Sequence, residues 1–198
     1  MRTLLPKTLL LIAALALPAW AFAHTGNDIG AHHAIKFIDG LLHPFTGLDH
    51  LAAMLAVGLW SAVAARRMWL APLAFASMLS IGALLGMSAV AVPAGEPMIA
   101  ASLLVLGLML ASRARLPDAV AAALVGGFAL FHGVAHGNEL GGGARLLLPL
   151  LGMLTGTIAL HIAGLSLGLA MQARSQWWPR VAGAAVSPLG GLLLVRMI

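Results

Sequence analysis

Long apolar runs separated by short polar stretches fill the sequence from residue 47 to the C-terminus. A transmembrane helix needs about 20 mostly apolar residues, and six runs reach or approach that length: 47–65, 69–92, 98–112, 118–137, 146–172 and 178–197. Only 9% of all residues are charged, against about 25% in soluble domains. Backbone groups inside lipid must pair within their own segment, which favours helices. The sequence therefore predicts an all-α membrane protein, a bundle of six transmembrane helices.

Small residues recur at helix-packing spacing within these runs. Four Gly-x-x-x-Gly pairs begin at Gly82, Gly133, Gly152 and Gly164. Such pairs let two helix backbones approach closely. We expect them to be packing surfaces in one compact bundle.

The N-terminus has the pattern of a cleavable signal peptide. Arg2 and Lys7 flank an apolar stretch too short to span a bilayer, and "AFA" at residues 21–23 is a typical cleavage site. Residues 1–23 are therefore predicted to be removed. Residues 24–46 contain an apolar part too short to span, which predicts a periplasmic or interfacial segment. Residues 47–198 form the predicted six-helix transmembrane domain.

Arginine placement predicts the orientation of the bundle. Six arginines lie in the loops on one side of the predicted membrane: Arg66, Arg67, Arg113, Arg115, Arg174 and Arg180. Cytoplasmic loops are enriched in such residues, so this side is predicted to be cytoplasmic and the mature N-terminus periplasmic. Trp60, Trp69, Trp177 and Trp178 fall near the same side, where amphipathic rings are expected.

Composition and missing motifs exclude several classes of function. The chain has no cysteine, so it has no disulfide or thiolate metal site. It has no basic cluster of the kind that binds nucleic acid. It also lacks a phosphate-binding P-loop, a His-Glu-x-x-His zinc motif and a Gly-x-Ser-x-Gly elbow. An enzyme is therefore conceivable only through a metal bound by other residues.

The fourth apolar run ends in "FHGVAHGNE", which places polar groups where lipid-like residues dominate. His132, His136 and Glu139 lie on one face of a helix with 3.6 residues per turn. This spacing favours a metal ligand set. The alternative is a pair of histidines that hydrogen-bond between helices, with a solvated Glu139.

A second cluster, "HPFTGLDH", stands where the first run begins, on the same predicted side. His43, Asp49 and His50 add imidazole and carboxylate groups, which suit nickel, cobalt and zinc. Asp49 has another interpretation, because "TGLD" fits a capping box with Thr46 as the N-cap residue.

Four further histidines lie outside these clusters, and two of them, His161 and His24, are candidate metal or pathway residues. His161 lies deep in the fifth run, and a titratable residue at such depth is a functional candidate. The alternative is a hydrogen bond to Thr157, one turn away. His24 would be the first residue of the mature chain, where its amine and imidazole could together hold a metal ion.

In its two motifs the sequence resembles the HupE/UreJ family, which is marked by His-x5-Asp-His at the first span and Phe-His-Gly-x-Ala-His-Gly-x-Glu at the fourth. Residues 43–50 and 131–139 match both patterns. The resemblance implies a bacterial inner-membrane protein of hydrogenase or urease gene clusters, and a secondary permease for nickel or, in some members, cobalt. The motif residues that carry over are His43, Asp49, His50, His132, His136 and Glu139.

Taken together, sequence and resemblance predict an ATP-independent uptake permease for a divalent transition metal. Ni²⁺ or Co²⁺ would be the transported ion, with no permanent cofactor and with the bilayer as the other partner. A metal-binding accessory protein and a membrane metalloenzyme remain alternatives. A b-type haem fits poorly, because histidines four residues apart on one helix do not face each other across a ring.

Overall fold

The computed structural model describes residues 36–88, 92–93, 95–140 and 147–197. These residues form helices and connecting turns, with no strand among them. The helices are α1 (Phe37–Thr46), α2 (Leu48–Ala64), α3 (Leu70–Met87), α4 (Gly95–Ser112), α5 (Asp118–Leu140), α6 (Leu147–Arg174) and α7 (Trp177–Arg196). The predicted signal peptide, residues 1–23, and His24 lie outside the described residues.

Five helices, α3 to α7, are long and apolar enough to cross a membrane. Helix α2 has 17 residues and reaches spanning length only together with α1, from which it is bent by 84°. An all-helical membrane bundle is thus confirmed, whereas the count of six spans stays a prediction. The third apolar run, 98–112, is short, but its helix α4 begins three residues earlier, at Gly95, and is therefore longer than the run.

Glycine pairs bring the helices into close contact, as the sequence predicts. Helix α3 packs most extensively on α5, α4 on α7, and α6 on both α1 and α2. A Cβ atom on Gly82 would overlap the Leu130 carbonyl oxygen, and one on Gly133 would overlap that of Leu79. The backbones of α3 and α5 are therefore in direct contact. Any side chain larger than the hydrogen of glycine at these positions would push the two helices apart.

Successive spans run in alternating directions. Gly107 on α4 faces Ser187 on α7, while Gly183 faces Ala111, so these two helices are antiparallel. Helices α2 and α6 are parallel, because Gly58 meets His161 while Gly168 meets Ala62. Arg113, just after α4, hydrogen-bonds near the ends of both helices, to Val63 and to Gln172. Helices α2, α4 and α6 therefore end together, at what we call the arginine end. Two contacts tie this end together. Arg67 Nε lies 3.5 Å from Asp118 Oδ2, and the Arg113 guanidinium donates to the Val63 carbonyl at 3.2 Å.

The tryptophans at the arginine end divide into two groups. Trp69, Trp177 and Trp178 are 51%, 62% and 50% exposed, which fits rings at a membrane interface. Trp60 is wholly buried, and its Nε1–H donates to the Ala114 carbonyl at 2.9 Å. The interfacial prediction is therefore wrong for Trp60, which joins α2 to the connection that follows α4.

Large apolar side chains cover much of the outer surface of the described helices. Exposed examples from five of them are Leu73, Leu84, Leu108, Val120, Leu148, Ile162, Leu192 and Val195. A soluble protein rarely exposes so continuous an apolar surface, whereas lipid solvates it. Among the described residues the buried polar side chains are four histidines and four hydroxyl residues: His50, His132, His136, His161, Ser61, Ser102, Thr157 and Ser187.

Candidate metal site

The break between α1 and α2 positions the first motif. Helix α1 ends at Thr46, Gly47 is extended, and α2 begins at Leu48. The capping-box interpretation is wrong, because Gly47 is the N-cap residue and Thr46 Oγ1 instead donates to the His43 carbonyl at 2.7 Å. The break leaves His43 in the last turn of α1 and Asp49 in the first turn of α2.

His43, His136 and Glu139 form the tightest group of potential metal ligands among the described residues. The Nε2 atom of His43 lies 2.8 Å from Nδ1 of His136 and 2.9 Å from Oε2 of Glu139. The last two atoms are 3.9 Å apart. One ligand atom from each residue falls within 4.8 Å of the others, so the two motifs meet in one place.

These distances suit a transition metal ion. With metal–ligand bonds of about 2.1 Å, neighbouring ligand atoms are about 3.0 Å apart at a right angle and about 3.4 Å at a tetrahedral angle. The three observed separations, 2.8, 2.9 and 3.9 Å, lie around these values. Small side-chain movements would therefore accommodate an ion among two imidazoles and a carboxylate.

Asp49 holds His50 beside this group. Its Oδ1 atom accepts hydrogen bonds from the backbone N–H of His50 and from His50 Nδ1, both at 2.9 Å. Because a carboxylate only accepts, the ring proton lies on Nδ1 and the lone pair on Nε2 is free. Nε2 is buried without a hydrogen-bond partner, and the ring lies 4.3 Å from that of His136, centroid to centroid.

His132 lies one step further into the bundle. Its ring is 4.9 Å from that of His50, and its Nε2 lies 2.9 Å from Ser102 Oγ. The Ser102 hydroxyl donates its proton to the Ile99 carbonyl, so Nε2 of His132 must be the donor in this pair. The lone pair on Nδ1 then has no partner, although the side chain is fully buried.

Solvent exposure falls steadily across the site. The Glu139 and His43 side chains are 32% and 25% exposed, and His136 is 2% exposed. The carboxylate therefore stands at the mouth and the imidazoles lead inward. An arrangement of this kind can attract a hydrated cation and exchange its water for nitrogen ligands step by step.

The structure places all six motif residues in one continuous cluster, with five at the mouth and His132 one step further in, its ring 4.9 Å from that of His50. The predicted convergence of His132, His136 and Glu139 holds for the last two, whereas His132 turns towards Ser102 in α4. His161 lies deeper, bonded to the Met54 carbonyl and not to Thr157. Sequence reasoning missed Ser102, whose only signal was a hydroxyl inside an apolar run.

Comparison with known proteins agrees with the family resemblance of the two motifs. The family model described as HupE / UreJ protein matches residues 12–193. Protein HupE of Rhizobium leguminosarum bv. viciae is 42% identical over 186 residues, which cover 93% of this chain and 95% of that relative. No solved structure matches significantly. A family match over nearly the whole length, together with both motifs meeting in space, shows that this chain belongs to the HupE/UreJ family.

Proposed function

We propose that this protein is a secondary permease that carries a divalent transition metal into the cytoplasm across the bacterial inner membrane. The expected cargo is Ni²⁺, with Co²⁺ as the alternative, and its use is hydrogenase or urease maturation. The observation that carries the proposal is the contact of His43, from the first motif, with His136 and Glu139, from the second. Family membership supports nickel and cobalt over zinc.

Entry of the ion begins at the histidine end, the end of the bundle opposite the arginine end, which the arginine pattern predicts to be periplasmic. Glu139 and Asp49 offset the ion's charge as it leaves water, because an uncompensated charge in a low-dielectric site is costly. Imidazole nitrogens then replace part of the hydration shell. Helix α1 also ends here, and the C-terminal end of a helix favours cations.

Passage inward requires that no position hold the ion too tightly, since conduction needs several sites of moderate affinity. His50 and His132 each offer one buried nitrogen without a partner, so they are the next positions in the proposed path. The membrane potential supplies a driving force of about 4.6 kcal/mol per 100 mV for an ion of charge two, at about 2.3 kcal/mol per unit charge. No catalytic step and no permanent cofactor are part of the proposal.

Uptake of radioactive Ni²⁺ into vesicles tests the proposal. Three preparations are compared: vesicles with the full chain, vesicles with His136→Ala, and empty vesicles. We expect uptake only with the unchanged chain, and faster uptake when the vesicle interior is electrically negative. The matched control is Asp118→Asn, which alters a carboxylate at the arginine end and should leave uptake within about twofold.

Equal uptake in all three preparations would refute the proposed permease function. If the unchanged chain still bound Ni²⁺ in a His136-dependent manner, the accessory-protein alternative would replace it. Metal-dependent turnover of an added peptide or lipid, without uptake, would favour the metalloenzyme.

A further inference from the structure

His161 is the one histidine of the described chain that belongs to neither motif. It is 2% exposed and lies near the middle of α6, the 28-residue helix Leu147–Arg174. Its Nδ1 atom lies 2.9 Å from the Met54 carbonyl oxygen on α2. A carbonyl oxygen only accepts, so the ring proton is on Nδ1 and the lone pair is on Nε2.

The free nitrogen of His161 has no hydrogen-bond partner although it is buried. Thr157 lies one turn earlier on the same face of α6, and its hydroxyl oxygen is likewise buried and unpartnered. Metal-binding histidines commonly have this arrangement, in which one nitrogen donates to a carbonyl or carboxylate and the other is free to ligate. The same arrangement occurs at His50, where Asp49 takes the place of the carbonyl.

Phe75 connects His161 with the motif histidines. Its ring centroid lies 5.7 Å from that of His132 and 5.0 Å from that of His161. Phe75 is fully buried, so no water-filled gap is expected where these rings touch. Met54 follows His50 by one helical turn, about 6 Å along α2, which places His161 directly inward of the motif cluster.

We propose that His161, with the Thr157 hydroxyl, forms an inner binding position for the transported divalent metal ion, and that Phe75 separates it from the motif histidines. The proposal rests on the permease function and extends its path beyond the residues of the two motifs. A single imidazole and a hydroxyl bind weakly, which suits a position from which the ion must leave. The ion would reach Nε2 from Nδ1 of His132 by movement of the Phe75 ring.

A purely structural role for His161 makes a different prediction. Its hydrogen bond to Met54 ties α6 to α2, and loss of that bond alone could damage the bundle. His161→Asn separates the two roles, because the side-chain amide can donate from about the position of Nδ1 but offers nothing at the position of Nε2. Thr157→Val similarly keeps the shape of the side chain and removes its hydroxyl.

The test measures Ni²⁺ influx and Ni²⁺ binding on the same purified full-length proteins in vesicles. For His161→Asn we expect influx at saturating Ni²⁺ to fall by about tenfold or more, while the affinity of the motif cluster stays within about twofold. Thr157→Val should lower influx by a smaller factor. The control is Thr155→Val on the same helix, because the Thr155 hydroxyl is exposed and donates to the Leu151 carbonyl of its own helix.

Two outcomes would overturn the inner position. Influx through His161→Asn within twofold of the unchanged chain would leave His161 with a structural role and the permease intact. If the unchanged chain gave no more influx than empty vesicles, the permease proposal would be refuted, and the inner position would be refuted with it.

Discussion

At His50 and His132, one ring nitrogen donates a hydrogen bond and the other faces the interior without a partner. An unpaired polar atom in a buried place costs about 1–3 kcal/mol. A bundle that keeps several such atoms close together is poorly explained by stability alone. Metal ligation gives these nitrogens a use, because a ligand must present a free lone pair.

The first prediction for a single residue concerns the negative charge of Glu139. Glu139→Gln keeps the size of the side chain but removes the anion that faces His43 and His136. Mutation of a residue that only orients a metal ligand lowers metal affinity by roughly 10–100-fold. Mutation of a residue that binds the ion directly should lower it by at least as much. Equilibrium dialysis with Ni²⁺ measures the change, with Asp118→Asn as the control. Unchanged affinity would remove Glu139 from the site.

Asp49 is predicted to act through His50. Asp49→Ala removes the acceptor of both hydrogen bonds from His50, so the ring loses its fixed orientation and Ni²⁺ affinity should fall about 10–100-fold. Asp49→Asn keeps an acceptor oxygen and should lose less. Equal losses in the two variants would mean that the charge of Asp49 matters and its hydrogen bonds do not.

The sequence was sufficient to identify most residues of the candidate site, because imidazoles and carboxylates stand out in apolar runs. It could not show which nitrogen of each histidine is free. That depends on Ser102 and on the Met54 carbonyl, which come from other helices. The prediction that Trp60 lies at the membrane interface was wrong for a similar reason, since only the packed bundle places the Ala114 carbonyl beside its indole N–H.

At the scale of the elements, the break at Gly47 determines the shape of the mouth. The 84° bend between α1 and α2 allows His43 and His50, from two different helices, to face α5. Broken helices whose ends point at a binding site are common in secondary transporters. Length and hydropathy indicated that residues before Pro44 could not span alone, but the angle of the bend depends on how α1 and α2 pack on α6.

Gly47 provides a prediction for this element. A Cβ atom there would lie 2.8 Å from Asp49 Oδ1 and 3.1 Å from His50 Nδ1, too close without displacement of that pair. Gly47→Ala should therefore weaken Ni²⁺ binding while the helical content, measured by circular dichroism, stays unchanged. Gly191→Ala is the control, because a Cβ at Gly191 meets nothing within 4 Å. Equal binding by both variants would contradict the proposed role of the break.

At the scale of the whole molecule, the contact between α3 and α5 is a backbone contact made by glycines, and α5 carries His132, His136 and Glu139. The Gly-x-x-x-Gly spacing was enough to predict close packing. Spacing cannot identify which helices pair, because any two small-residue faces are compatible. The pairing of α3 with α5, and of α4 with α7, therefore required the structure.

Gly133→Val tests that packing. Its side chain would collide with the backbone at Leu79 and Ala83, and overpacking of this kind costs about 1–3 kcal/mol. We expect the midpoint of thermal unfolding in detergent to fall by about 2–12 °C. Gly127→Val adds the same side chain to the same helix where a Cβ meets nothing within 4 Å, and should leave the midpoint nearly unchanged. Equal midpoints would show that α3 and α5 do not touch as described.

The central claim is that the two motifs form one metal site, and X-ray absorption spectroscopy of the Ni²⁺-loaded full-length protein tests it most directly. We predict a nickel spectrum with at least two imidazole ligands and carboxylate oxygen at about 2.1 Å, and the loss of one imidazole in His136→Ala. A spectrum with only water and oxygen ligands, identical in the two proteins, would contradict the claim.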